Sequence, residues 1–366
     1  MNRRVLKIGL TVLILAGLVG ACGQVSGPTA AGGSEEEKVL NLLAWSEYVP
    51  QALLDGFTEE TGIRVNYDPF SSNEEMYAKI SAGAAGYDLV QPSDYWIGVM
   101  SRDGSLGELD LTKIPNLANV DPNLPYDLYD PGHKYSVPYQ WGSAAIAVNT
   151  DKISEPIDSF MDLLNPEYAG KIVLLDDERQ VIGAALLALG YSPNTTEPTE
   201  LEQAKELLLQ LVPGVRLFDS DTPSTAILTG EADIGLIWNG EGALAHAENP
   251  AIDFIYPSEG TVFWYDNLAL LNGAQHPEAA HAFMNYVLRP EVSLLITAEF
   301  PYSNPNAAAL ALMQTEDPEA YEAYMGFGAM NPPAEALANA YVLSDVGAAT
   351  ETYDTIWTEI KTAAGG

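Results

Sequence analysis

The sequence predicts an α/β protein of two domains. Strand and helix signals alternate from residue 39 onward, as in βαβ units. The chain of 366 residues exceeds the size at which one core keeps growing. Two short apolar runs, residues 144–148 and 268–271, have no neighbouring helical pattern and read as strands crossing between domains.

Residues 39–43 form the first expected strand. Pro50 then opens a helix through Phe57 that stops at Gly62, with proline first and glycine last. Residues 63–67 are the next strand, and Ser72-Asn73-Glu74-Glu75 fits a capping box that starts a helix through Ile80. Residues 87–90 read as a buried strand, which completes a βαβαβ order. That order implies a mostly parallel sheet with ligands at the carboxyl ends of its strands. Further on come a strand at 171–174, a helix at 202–211 and a strand at 234–238. A chain that crosses between domains at least twice forms a hinge, and such hinges close around ligands.

Ahead of the first strand lies a targeting segment. Arg3, Arg4 and Lys7 precede an apolar stretch from Ile8 to Ala21, interrupted only by Thr11, and Cys22 follows directly. The stretch is too short and wrongly flanked for a spanning helix. Its end, Leu18-Val19-Gly20-Ala21-Cys22, resembles a bacterial lipobox, so residues 1–21 are expected to be removed and Cys22 to carry a lipid. Cys22 is the only cysteine, which excludes an intrachain disulfide. Residues 22–37 hold Gly, Ser, Pro, Thr, Ala and three acids without an apolar period, the composition of a flexible tether. An extracytoplasmic protein, periplasmic or at the cell surface and held to the membrane by its lipid, is the expectation.

The 16 basic and 51 acidic residues give a net charge of −35, and the segment 1–21 holds three of the basic ones and no acid. Nucleic acid is therefore excluded as a partner. A field of that sign concentrates cations, and it also favours solubility.

Five aromatic or acidic clusters lie near expected strand ends: Trp45-Ser46-Glu47-Tyr48, Ser93-Asp94-Tyr95-Trp96, Asp176-Asp177-Glu178, Trp238-Asn239-Gly240-Glu241 and Trp264-Tyr265-Asp266. Aromatic faces hold an organic ammonium with roughly 0.5–2 kcal/mol each. Carboxylates compensate its charge once water leaves. Paired carboxylates also suit glycoside hydrolysis, with Glu47 and Asp266 or Asp177 and Glu241 as candidate pairs. No Gly-x-Ser-x-Gly elbow and no phosphate-binding Gly-x-x-x-x-Gly-Lys occurs. His133, His246, His276 and His281 lack the spacing of a helical metal pair, and Asp176-Asp177-Glu178 lacks the alternation of a calcium loop. Neither metal nor cofactor is expected.

Several segments together resemble the spermidine/putrescine-binding proteins of ABC transporters. They are Ala44-Trp45-Ser46-Glu47-Tyr48-Val49-Pro50, Phe57-Thr58-Glu59-Glu60-Thr61-Gly62-Ile63, Tyr87-Asp88-Leu89-Val90-Gln91-Pro92-Ser93, Pro138-Tyr139-Gln140-Trp141-Gly142, Ile237-Trp238-Asn239-Gly240, Phe263-Trp264-Tyr265-Asp266 and Asp345-Val346-Gly347-Ala348-Ala349. The resemblance runs through the chain in order from residue 44. It implies a two-lobe class II periplasmic-binding-protein fold with hinge crossovers, residues 38–143 with 265–310 forming one lobe and 144–264 with 311–366 the other. It implies capture of a polyamine without catalysis, delivery to a membrane permease, and a monomer.

Carried over by position, the resemblance makes Trp45, Tyr48, Tyr95, Trp238, Trp264 and Tyr302 the aromatic walls. Glu47, Asp177 and Asp266 fall where carboxylates meet amino groups, and Ser46, Ser93 and Ser220 offer smaller polar contacts. Two positions depart from the spermidine-binding pattern. Gln180 stands where a Glu is expected, and Leu343 where a Gln is expected; Asp94 is a candidate to compensate the lost charge. The readings left beside a polyamine receptor are a receptor for another organic cation, such as a quaternary ammonium, and a secreted glycoside hydrolase.

Overall fold

The computed structural model describes residues 38–82 and 86–365, so the expected targeting segment, Cys22 and the tether lie outside the described residues. The opening elements are β1 (Val39–Trp45), α1 (Gln51–Thr61), β2 (Arg64–Phe70), α2 (Asn73–Ser81), β3 (Leu89–Val90) and α3 (Asp94–Arg102). Gly62 closes α1 with φ of 72°, a left-handed conformation that turns its N–H onto the Thr58 carbonyl at 2.8 Å. Ser72 Oγ accepts from the Glu75 amide at 3.1 Å, while Glu75 returns its bond to the Ser71 amide. The box is thus closed one residue earlier than the motif predicts.

Then follow β4 (Ser136–Asn149), β5 (Ile172–Leu174), α4 (Glu178–Ala188), α5 (Pro198–Leu211), β6 (Val215–Phe218), α6 (Pro223–Leu228), β7 (Ile234–Trp238), α7 (Asn239–Glu248), β8 (Ile252–Ile255), β9 (Thr261–Leu270) and, after further helices, β10 (Ala340–Val342). The described strands pair in the order β2-β1-β3-β9-β4-β7-β5-β6, with β10 on β9 and β8 on β4. The expected mostly parallel sheet is instead mixed. β1 runs parallel to β2 and β3, and β5 to β6 and β7, but β4 is antiparallel to β7, β8 and β9. β9 follows β8 over residues 256–260 with no crossover helix between them, and a parallel direction needs such a crossover.

β4 belongs to both halves. Residues 136–143 pair with β9, and residues 144–149 pair with β7 and β8. The apolar run at 144–148 is the second part of that strand. The run at 268–271 does not cross: it lies at the far end of β9, which sits in the first sheet from Thr261. The chain returns before that point because only residues 256–260 separate β8 from β9.

The central strands β4 and β9 are buried along their whole length, as strands covered on both faces must be. In β1, Leu42 enters one core with Phe57 and Phe283, and Leu43 the opposite one with Ile97 and Met100. In the other half Ile146 packs with Ile182, Leu208 and Tyr353, and Ala147 with Ile227 and Ile237. Alternation along each strand therefore builds two helix-covered sheets joined through β4.

Candidate ligand-binding cleft

A cleft of about 720 Å³ lies where the two sheets meet. The carboxyl ends of the parallel strands supply much of its lining. β1 delivers Trp45, Ser46, Glu47 and Tyr48, β3 delivers Ser93 and Tyr95, β5 delivers Asp177 and Gln180, β6 delivers Ser220, and β7 delivers Trp238. Trp264 and Asp266 arrive differently, from the middle of β9 rather than from a strand end. Tyr302 and Leu343 complete the set singled out in the sequence. Ser71, Asn73 and Asp221 also line the cleft without having been expected. Asp221 follows the end of β6 and Ser71 the end of β2, so strand ends were a usable signal for both; Asn73, the first residue of α2, carries none.

Asp94 is the exception among the expected residues. It does not line the cleft but lies behind it, fully buried at the start of α3. Its Oδ1 accepts from the Tyr95 amide at 2.8 Å, and its Oδ2 has no protein partner. Burial holds its carboxyl well above the usual range, and the Asp266 charge adds to the effect. It therefore does not replace a cleft carboxylate opposite Gln180.

Asp266 is 6% exposed. Its Oδ1 accepts from Ser93 Oγ at 2.7 Å, and Asn73 fixes that serine twice, by Nδ2 to Ser93 Oγ at 3.1 Å and by Oδ1 from the Ser93 amide at 3.2 Å. The Tyr48 hydroxyl adjoins the carboxylate without forming a well-aligned bond. Burial pushes the Asp266 carboxyl up to about 7, with the Asp177 charge in the same direction and the Ser93 and Tyr48 hydroxyls opposing. No lysine, arginine or histidine among the described residues pairs with it. Asp266 is a buried carboxylate without a paired cation among the described residues, an arrangement that is costly unless a cation comes from elsewhere.

Around it the rings form a cage. Trp264 meets Tyr302 at 5.3 Å and Trp238 at 6.0 Å, both edge to face, and Tyr48 meets Tyr302 edge to face at 5.3 Å. In an edge-to-face pair the positive edge of one ring meets the negative face of the other. At the other end Asp177 caps α4, its Oδ1 accepting from the Gln180 amide at 2.9 Å, and burial raises its carboxyl. The Gln180 Oε1 atom beside it is buried without a protein donor. Glu47 is exposed at the rim in a left-handed conformation, φ 49°.

Among the described residues no group of three or more His, Cys, Asp and Glu side chains is placed to hold a metal, and no helix is long and apolar enough to cross a membrane.

Comparison with known proteins adds to this geometry. A family model for bacterial extracellular solute-binding proteins matches residues 52–326. The spermidine/putrescine-binding periplasmic protein of Escherichia coli is 39% identical over 343 residues, 93% of this chain and 97% of its own. Its counterpart 1 from Haemophilus influenzae is 39% identical over 362 residues, 97% and 98% of the two chains. Among solved structures, the spermidine/putrescine ABC transporter substrate-binding protein PotD from Streptococcus pneumoniae aligns with a TM-score of 0.74 and 32% identity over 89% of this chain and 99% of that one. The TpPotD lipoprotein of Treponema pallidum aligns with a TM-score of 0.75 and 30% identity over 88% and 99%.

Proposed function

The chain belongs to the bacterial extracellular solute-binding proteins, and from that premise we propose that it captures a polyamine, spermidine or putrescine, in the cleft and delivers it to the permease of an ABC transporter. The observation that carries the reading is Asp266, a buried carboxylate that no cation among the described residues pairs, inside a ring of Trp and Tyr side chains. An alkylammonium supplies the missing charge, and its methylene chain packs on the rings. The relatives named for spermidine and putrescine support the choice of amine. The family is one of binding proteins and not of enzymes, so the glycoside hydrolase alternative falls.

The ligand residues of this proposal are the cleft-lining Trp45, Ser46, Glu47, Tyr48, Ser93, Tyr95, Asp177, Gln180, Ser220, Trp238, Trp264, Asp266 and Tyr302. The two lobes close on the amine about the crossing in β4. Pairing of β9 from Thr261 and of β10 in the first sheet supports lobes of 38–143 with 261–342 and 144–260 with 343–366, rather than boundaries at 265 and 311. The protein acts as a monomer held at the membrane through a lipid on Cys22; the lipobox resemblance and a lipoprotein relative support the anchor.

Titration calorimetry with putrescine, cadaverine, spermidine, spermine and choline tests the reading. Saturable binding of a polyamine is expected. Binding of choline alone would establish the quaternary-ammonium alternative, and heat from none of the amines would end the proposal.

A further inference from the structure

Arg179 is a buried cation behind the cleft wall, packed on the ring of Tyr95, which lines the cleft. Its side chain is 4% exposed, between the rings of Tyr95 at 5.4 Å and Tyr353 at 4.8 Å. Its two hydrogen bonds, both from Nη2, go to neutral oxygens: Asn194 Oδ1 at 3.1 Å and the Ser344 carbonyl at 3.3 Å. Among the described residues its Nε atom has no partner and no carboxylate pairs with it.

The charge of Arg179 is therefore felt rather than bonded. It acts on Asp177, Asp94, Glu74 and Asp345. Asp177, two residues earlier at the start of α4, is the cleft carboxylate most directly compensated. It already accepts the Gln180 amide and faces the positive end of an 11-residue helix. At the opposite end Asp266 has only the neutral Ser93 and Tyr48 beside it. Gln180 beside Asp177 is neutral, whereas Glu74, Asp176 and Glu178, none of which lines the cleft, stand close enough for their charges to act with that of Asp177.

Resting on the polyamine reading, we infer that Arg179 is a specificity-determining residue: a resident counter-cation that makes the Asp177 end of the cleft a weak subsite and leaves Asp266 as the strong one. The cleft then favours few ligand charges. A third or fourth ammonium, forced toward Asp177, meets Arg179 across a poorly screened gap.

The test compares Arg179→Met and Arg179→Gln, which remove the charge, with Arg179→Lys, which keeps it. Dissociation constants for putrescine, spermidine and spermine are measured by calorimetry at pH 8, with melting curves alongside to verify folding. Arg179→Gln can still donate to Ser344, so it serves if the Met variant fails to fold. Loss of the charge is expected to tighten spermidine and spermine relative to putrescine by about tenfold, while Arg179→Lys holds the ratio within about twofold. An equal shift for all three amines would assign Arg179 to structure alone and overturn the inference, as would unchanged constants. Absence of any amine binding by the unaltered protein would instead overturn the polyamine reading.

Discussion

Ser46 Oγ donates to Asp221 Oδ1 at 2.9 Å, joining the end of β1 in one sheet to the end of β6 in the other across the cleft mouth. Because it bridges the two sheets, the bond is expected to hold only while the proposed lobes are closed. An exposed hydrogen bond of this kind contributes about 1 kcal/mol, roughly a fivefold change in an equilibrium constant. Ser46→Ala is expected to speed polyamine release about fivefold in stopped-flow tryptophan fluorescence and to leave the association rate unchanged. A cycle with Asp221→Ala should show coupling of about 1 kcal/mol, and zero coupling would remove the bond from the closing motion.

The raised carboxyl of Asp266 makes binding pH-dependent. An ammonium needs the ionised form, so below about 7 the ligand must displace a proton. Between pH 6 and 8, where alkylamines stay charged, affinity should rise about tenfold, with up to one proton released per ligand near pH 6.5. Calorimetry in buffers of different ionisation enthalpy reads that proton directly. The sign for stability is opposite. The folded group holds its proton to about 7 and the unfolded one only to about 4, so the ligand-free fold loses stability as pH rises through that window. Asp266→Asn should abolish the proton release, weaken binding and raise the melting temperature at pH 8. Unchanged proton release in that variant would move the titration to another group.

Much of this cleft is legible from sequence because parallel strands bring their carboxyl ends together, so an aromatic or acidic residue just past an apolar run lands in the site. Trp45, Asp177 and Trp238 follow that rule. Trp264 and Asp266 reach the cleft for another reason: β9 runs antiparallel, bridged to Ser93 at Asp266, and presents its middle. Strand direction depends on the connection between elements and not on local pattern, so the resemblance to a family located Asp266 where periodicity could not. The misplacement of Asp94 has a related cause. Helix α3 begins there, and one residue of rotation separates a side chain facing the cleft, Tyr95, from one facing the core.

Gly240 is required by a close approach. A Cβ at this position would lie 2.6 Å from the Tyr302 ring, one wall of the cleft. Gly240→Ala must push that ring, at a cost of about 1–3 kcal/mol in stability and a smaller cleft. Denaturant titration should show that loss, with polyamine affinity reduced about tenfold. Adding Tyr302→Leu relieves the clash but removes the aromatic face, so the double variant should regain stability without regaining affinity. Recovery of both would take Tyr302 out of the binding surface.

Gln180 offers the converse experiment at the Asp177 end. Its Oε1 is a buried acceptor without a protein donor, and its side chain is 3% exposed. Gln180→Glu exchanges that oxygen for a charge at nearly constant volume. Arg179 is near enough to act on Asp177, but two carboxylates this close raise one another's proton affinity, so the gain depends on pH. At pH 8 the variant should bind spermidine about tenfold more tightly, with a smaller effect on putrescine. At pH 6, where the new pair holds a proton, the preference should shrink. Equal tightening of diamine and triamine at both pH values would mean that the charge acts on the whole cleft rather than on one subsite, and Gln180 would no longer be a position that sets the length of the ligand.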